Sequence, residues 1–372
     1  MDKESFYKVT LEYIHLFSLY FNNKTSDASF DDELLLTFML FSKKHSLTAL
    51  LYKAIKETKV NVNPTALRKL EESYFANLRK HALFEKERNE LFKYLNDNEI
   101  DYLPLKGIII KDYYLDPYTR EFADNDILFV GKDDVVKKFF KDRKYEIESF
   151  KKSNHDVYLK KPCYNFEMHR ALFGESIESD KVVKYYDDIL DRAPIKEGFE
   201  HVLSNEDFYI YFTAHSYKHF NNSGCGIRTL VDYYFYLKNN QLDFDYINKE
   251  LEKIDLLDFS NKISSLSMKI FSEEPLTDEE KEMLLFIASS GTYGTLENSV
   301  SKGVQKKGKF GYFMSRVFPP MSVYKSLYPW AYKTKVLIPV AWLVRAFRIL
   351  FKNPKRAAKE LKMISKSNDK KD

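Results

Sequence analysis

The stretch REFADNDILFVG, Arg120 to Gly131, decides how this chain is read. Asp124 and Asp126 flank a single residue and lead directly into the apolar run Ile127–Val130. In a strand, residues i and i+2 project from the same face, so both carboxylates converge on one side of a sheet. Upstream stands Leu105-Lys106-Gly107; downstream a second strand-like run, YNFEMHR, carries Glu167 and His169 at the same i, i+2 spacing. If the two runs are neighbouring strands, three carboxylates face one hard cation, the donor set that Mg²⁺ prefers.

Outward from this stretch, punctuation sets the fold class. Gly107 is the first glycine of the chain, and Pro64 is the only proline before Pro104. So little punctuation, with the apolar spacing of Leu34, Leu35, Phe38, Met39 and Phe41 and of Leu83, Phe84, Leu91 and Leu95, predicts a helical region over 1–97. Short strand runs at Ile100–Leu105, Ile127–Val130, Tyr145–Phe150, Val157–Lys160 and Tyr164–His169 follow, with helices over Gly107–Tyr114 and Asp133–Lys141. This makes 98–200 a small mixed α/β core. Helical periodicity returns over 201–290, with Ser204 as an N-cap and the loop Asn221–Gly226 between two helices. The polar segment 291–311 holds five of the eleven glycines and reads as a loop or mobile connection, and an aromatic, basic helical extension completes 291–372. The expected class is α+β: a mixed-sheet core between helical regions, with 201–290 lying over the cleft.

Composition excludes several functions. A net charge of +4 over 372 residues is too weak for an extensive nucleic-acid surface. Cys163 and Cys225 are the only cysteines, so no disulfide framework or zinc site is encoded, as suits a reducing cytosol. The N-terminal MDKESFYKVT lacks a signal-peptide layout, and no apolar run approaches the ~18 residues that a spanning helix needs. A soluble cytoplasmic protein is expected.

Other constellations carry two readings each. A strand–glycine–helix turn at Lys106-Gly107 presents backbone N–H groups to a phosphate, with Lys106 as a point charge. Arg120 either clamps a phosphate or neutralises the acids. Glu167 and His169 face the metal together, or lie on an exposed alternating strand. His215 and His219 share a helix face at i, i+4, a spacing compatible with metal, but without a third ligand they read as packing or substrate contacts. Arg228 and Asp232, also i, i+4, read as a structural helix pair or, if their helix covers the cleft, as acceptor contacts.

The run LPLKGIIIKDYYLDPYTREFADNDILFV resembles the core of the nucleotidyltransferase superfamily of DNA polymerase beta-like proteins. It is most similar to an uncharacterised bacterial family whose pattern is "LKG", a Tyr-Pro-like segment, Arg, then Asp-x-Asp before an apolar strand. HSLTALLYKAIKE, ERNELFKYLNDNEIDYL, FEMHRALF, HSYKHF, GIRTLVDYYFYL and RVFPPMSVYKSLYPW with LIPVAWLVRAFRIL follow the family's layout in order. The resemblance implies Asp124 and Asp126 as metal ligands, Glu167 as the third carboxylate, and Lys106-Gly107 as the triphosphate-facing turn. The chain departs from the superfamily in two places. Lys-Gly stands where Gly-Ser is usual, and Asn125 where an apolar residue is usual, aimed at the packed side of the sheet.

The reading that follows is a Mg²⁺-dependent transferase, with Mn²⁺ as the alternative cation. It would move a nucleoside monophosphate from ATP or another nucleoside triphosphate to a hydroxyl-bearing small molecule, sugar or peptide. Its rivals are a non-catalytic scaffold keeping this fold, and a toxin-like transferase acting on tRNA or protein. The C-terminal VLIPVAWLVRAFRILF, with Trp342, Arg345, Phe347 and Arg348 followed by Lys352, Lys355, Arg356 and Lys359, reads either as a peripheral membrane helix or as a helix docked on the core. Leu337, Ile338, Ala341, Leu343 and Val344 leave no polar face before Arg345, which favours docking.

Overall fold

The computed structural model of the chain describes residues 2–174, 179–319, 321, 323–324, 328–352 and 354–366. Four helices lead in: α1 (Lys3–Phe21), α2 (Asp32–His45), α3 (Thr48–Thr58) and α4 (Pro64–Asp97). The length of α4 follows from its sequence. The Asn63 side chain caps it, Pro64 fits its first turn, and no glycine interrupts it before Asp97. The core follows as β1 (Tyr102–Pro104), α5 (Gly107–Ile110), β2 (Asn125–Phe129), α6 (Asp133–Asp142), β3 (Glu146–Ser149), β4 (His155–Lys160) and β5 (Tyr164–His169). Helices α7 (Asp180–Tyr185) and α8 (Ile189–Arg192) precede the hairpin of β6 (Ile195–Glu197) and β7 (Glu200–His201). Next come α9 (Asn205–Asn222), α10 (Ile227–Asn239), α11 (Phe244–Lys253), α12 (Leu257–Ser272) and α13 (Asp278–Ser290), then α14 (Leu296–Val317).

The strands form one mixed sheet in the order β3-β4-β5-β2-β1-β7-β6. Central β2 is antiparallel to β1 and parallel to β5. Strand alternation sends the two faces of the sheet into different cores. Ile127, Phe129, Tyr158, Phe166 and Met168 pack against Leu91 and Leu95 of α4 and Val136, Phe139 and Phe140 of α6. Leu103, Leu105 and Leu128 face the larger core built from α1–α3 and α9–α13. The α+β architecture with helical regions at both ends is thus the observed one.

Three local expectations change. The helix expected over Gly107–Tyr114 is one α-turn followed by a 3-10 turn, Lys111–Tyr113. The expected loop over 291–311 is helical from Leu296, with one glycine used for a bend and another for close packing. The chain bends at Gly308 (φ 68°, ψ 164°), and a Cβ on Gly303 would lie 2.2 Å from the Tyr312 ring. The extension contains helices over Pro329–Thr334, Ile338–Lys352 and Pro354–Lys366, and residues 367–372 lie outside the described residues. The helix Ile338–Lys352 does not bury its apolar face as docking on the core requires. Ala341 is buried in a small cluster with Tyr324, Tyr328 and Ala331, while Leu343 remains 62% exposed.

Candidate active site

The site begins where β1 ends. Lys106 adopts φ 50°, ψ −116°, a backbone region that suits glycine and strains other residues by about 1–3 kcal/mol. Its ammonium donates to Asp126 Oδ1 at 2.7 Å. The glycine next to it serves space: a Cβ on Gly107 would lie 2.7 Å from Arg120 Nη1. The turn was expected to offer its N–H groups to phosphate. Instead Ile108 N donates to the Leu105 carbonyl, and Ile109 N and Ile110 N to that of Lys106. Those three N–H groups are thus taken up within the turn.

Parallel pairing of β2 and β5 sets Asp126 level with Glu167. Alternation then puts Asp124, Asp126, Glu167 and His169 on one face, opposite the core of α4 and α6. His169 Nε2–H donates to Asp126 Oδ1 at 2.8 Å, so the neutral ring carries a bare Nδ1, which has no hydrogen-bond partner among the described residues. Strand β4 adds His155, the register partner of His169. Its Nε2 and that of His169 each lie 3.8 Å from Glu167 Oε2, and one donor atom from each of the three falls within 4.8 Å of the others.

Charges here are set by crowding. Burial, then the Asp126 and Asp124 carboxylates, push Glu167 up to about 7. Asp124 is raised too, by burial and by Asp126. Burial would also raise Asp126, but the Lys106 ammonium and the His169 hydrogen bond outweigh it and hold the carboxyl far below its ordinary value. Lys106 likewise stays charged against burial because Asp126 and Asp124 stabilise it. Burial, with His169 and Lys106 nearby, lowers His155 to about 4.

Helix α9 closes the cleft. Its Tyr211, His215 and His219 recur at i, i+4, i+8, one stripe along the helix. His219 Nε2 and His215 Nε2 lie 3.1 Å apart, so one ring donates to the other. Burial and then Lys106 depress both, His219 to about 4. The pair is neutral and partly buried. Burial keeps the Tyr211 hydroxyl protonated, assisted by the nearby Asp126, Glu167 and Asp124.

Arg120 and Asp232 meet each other. Arg120 Nε and Nη2 donate to Asp232 Oδ1 and Oδ2 at 2.7 and 2.9 Å, and Tyr114 Oη–H donates to Oδ1 at 2.6 Å. The expected Arg228–Asp232 helix pair is not formed, because Asp232 is saturated by this clasp. Arg228 instead donates from Nη1 to the Glu121 carbonyl at 2.6 Å. It remains close enough to Asp124 to favour that carboxylate. Asn125 points away from the acids, as expected, and its Oδ1 accepts from Arg88 Nη1 of α4 at 3.1 Å.

A family model described as "Uncharacterised nucleotidyltransferase" matches residues 31–272, from just before α2 to the end of α12. The chain belongs to this uncharacterised nucleotidyltransferase family. No curated protein and no solved structure matches the chain. The matched span of this family member contains every residue of the cleft described so far and excludes α13, α14 and the C-terminal extension.

Two residues escaped the sequence reading. His155 was findable: the hairpin that pairs Lys160 with Tyr164 pairs His155 with His169 by counting back along both strands. Tyr293 was not, because only tertiary folding brings it here. It stands on the α13–α14 connection, largely exposed. It lies within electrostatic reach of Arg228 and Asp124.

Proposed function

We propose that this nucleotidyltransferase moves a nucleoside monophosphate from a nucleoside triphosphate to a hydroxyl-bearing acceptor, a small molecule, sugar or peptide, and releases pyrophosphate. The observation that carries the reading is the register of β2 and β5, which sets Asp126 and Glu167 side by side with Asp124 on the same face. Asp124 and Glu167, both raised by burial and by the Asp126 carboxylate, crowd against it on that face, and such a set of carboxylates suits a divalent cation. Asp124, Asp126 and Glu167 would hold it. The neighbouring imidazole of His155 makes Mn²⁺ as suitable as Mg²⁺. Bound there, the cation would supply charge neutralisation along the triphosphate.

The remaining chemistry falls to the chain's own groups. Lys106 orients Asp126 and sets a positive charge beside the phosphates. Glu167, where it is not taken up by the cation, would take the acceptor's hydroxyl proton. The acceptor oxygen bonds to the α-phosphorus, the bond from that phosphorus to the bridging oxygen breaks, and pyrophosphate leaves in line. Arg228, close to Asp124, suits a phosphate, and the exposed ring of Tyr293 suits stacking on a base. Arg120 and Asp232 act as positioning residues through Gly107. Unpaired Cys163 and Cys225 agree with a cytoplasmic setting.

One observation favours a scaffold reading instead: Lys106 and His169 already satisfy Asp126 Oδ1. A single experiment separates the two. The full chain is incubated with each α-³²P-labelled nucleoside triphosphate, Mg²⁺ or Mn²⁺, and a cell lysate. Label entering an acceptor with wild-type protein but not with Asp124→Ala supports transfer. A folded wild type that moves no label from any nucleotide supports the scaffold.

A further inference from the structure

Charge divides this chain sharply. Residues 301–372 carry 18 basic and 3 acidic side chains, a net +15, whereas residues 1–300 carry 41 basic and 52 acidic, a net −11. The near-neutral total conceals a strongly basic module attached to an acidic body. That module also exposes apolar surface. On the helix Ile338–Lys352, Val340, Leu343, Val344 and Phe347 recur at i, i+3, i+4, i+7 and are 45%, 62%, 44% and 60% exposed. Helical geometry places these four on one stripe. Val336 and Leu337 extend it at the helix entrance, and Trp330 lies 44% exposed just upstream. Lys333 and Lys335 just before this helix, and Arg348 within it, are exposed as well.

We propose that this face docks on an anionic lipid bilayer, with the helix Ile338–Lys352 lying in the headgroup plane. An apolar stripe with exposed lysine and arginine is the chemistry such a surface recognises: the aliphatic side chains enter the acyl boundary, and the cations meet the lipid phosphates. The competing occupants fit less well. A nucleic acid would use the charge but leave the aliphatic stripe in water. A second copy of the chain would bring two +15 modules together. Insertion across the membrane is not the mode, since no helix among the described residues is long and apolar enough to span. The module lies outside the family match, so the inference stands apart from the transfer reaction.

The test uses the full chain and vesicles of phosphatidylcholine alone or with about one-third phosphatidylglycerol, read by co-sedimentation and tryptophan emission. Trp330 and Trp342 are the only tryptophans, so the emission reports on this module. Wild-type protein is expected to sediment with anionic vesicles and shift its emission to the blue, with binding weakened by salt. Val340→Asp/Leu343→Asp is expected to weaken binding about tenfold or more, because two apolar anchors become charged. Should that variant melt early, Lys333→Glu/Lys335→Glu tests the same face through charge alone and is expected to abolish the preference for anionic vesicles. Binding that is absent in the wild type, equal in the variants, or displaced from vesicles by single-stranded RNA would overturn the proposal.

Discussion

Asp126 and Asp232 are both buried carboxylates held by a basic side chain, yet their surroundings differ in every other respect. Asp232 receives a bidentate guanidinium and a tyrosine hydroxyl, and the pair is sealed, with Arg120 and Asp232 side chains only 6% and 4% exposed. Asp126 receives a single ammonium and one imidazole on the same oxygen, beside two further carboxylates and with Lys106 19% exposed. The first arrangement satisfies its charges and joins the segment after α5 to α10. The second leaves charge repulsion in place, together with a strained lysine backbone and a bare imidazole nitrogen. Crowded carboxylates on one face of a cleft are candidates for chemistry, whereas a saturated pair is a candidate for holding structure.

Breaking the sealed pair should have the largest effect. Arg120→Met leaves Asp232 buried with only the tyrosine hydroxyl, and urea denaturation should show a loss of about 3–5 kcal/mol. Breaking the open cluster should do the reverse. Asp124→Asn should lower nucleotidyl transfer at least ~100-fold, while the same denaturation curve moves by less than ~1 kcal/mol, because a repelling charge has been removed. Equal stability losses in the two variants would erase the distinction between the sites.

Asn125 sharpens the comparison from the opposite face of β2. Its carbonyl accepts from buried Arg88, so Asn125→Leu should cost about 1–3 kcal/mol in denaturation and leave the transfer rate per folded molecule unchanged. A rate loss without a stability loss would move Asn125 into the reaction.

The smallest expected effect is a pH slope far from the cleft. His45 is fully buried, with Nε2 near the Ala288 carbonyl and Nδ1 accepting from Ile227 N. Burial, with Lys44 adding, pushes it down to about 3. The unfolded chain therefore takes up the proton first, and stability falls as pH drops below about 6.5 towards 3. Between pH 7 and 5.5 this contributes about 1 kcal/mol. His45→Gln should flatten the melting-temperature slope over that interval by a matching amount, and an unchanged slope would assign it to other groups.

Much of this architecture was legible in the chain. The alternation of Asp124, Asp126 and Ile127–Val130 specified a strand and its charged face, and the glycine-free 1–97 region specified helices. Tertiary pairing was less accessible. Sequence spacing suggested Arg228 as the partner of Asp232, but a buried guanidinium from a distant segment satisfies that carboxylate better than a neighbour one turn away. The strand register that joins Glu167 to Asp126 depends on the whole sheet, and the approach of Tyr293 on how the α13–α14 connection packs against Lys44 and Ser223. Glycine was misread once: in 291–311 it permits Tyr312 to pack against Gly303 within a bent helix, where composition alone suggested a loop.

The central claim is that the face of β2 and β5 binds a nucleotide together with a cation. Thermal unfolding of the full chain with Mn²⁺ and each nucleoside triphosphate tests it most directly. For at least one nucleotide the wild type should melt several degrees higher at saturating ligand, and Asp124→Asn, equally stable without ligand, should not respond. The same rise in both proteins, with the Asp124 carboxylate gone, would contradict the assignment of this face as the nucleotide site.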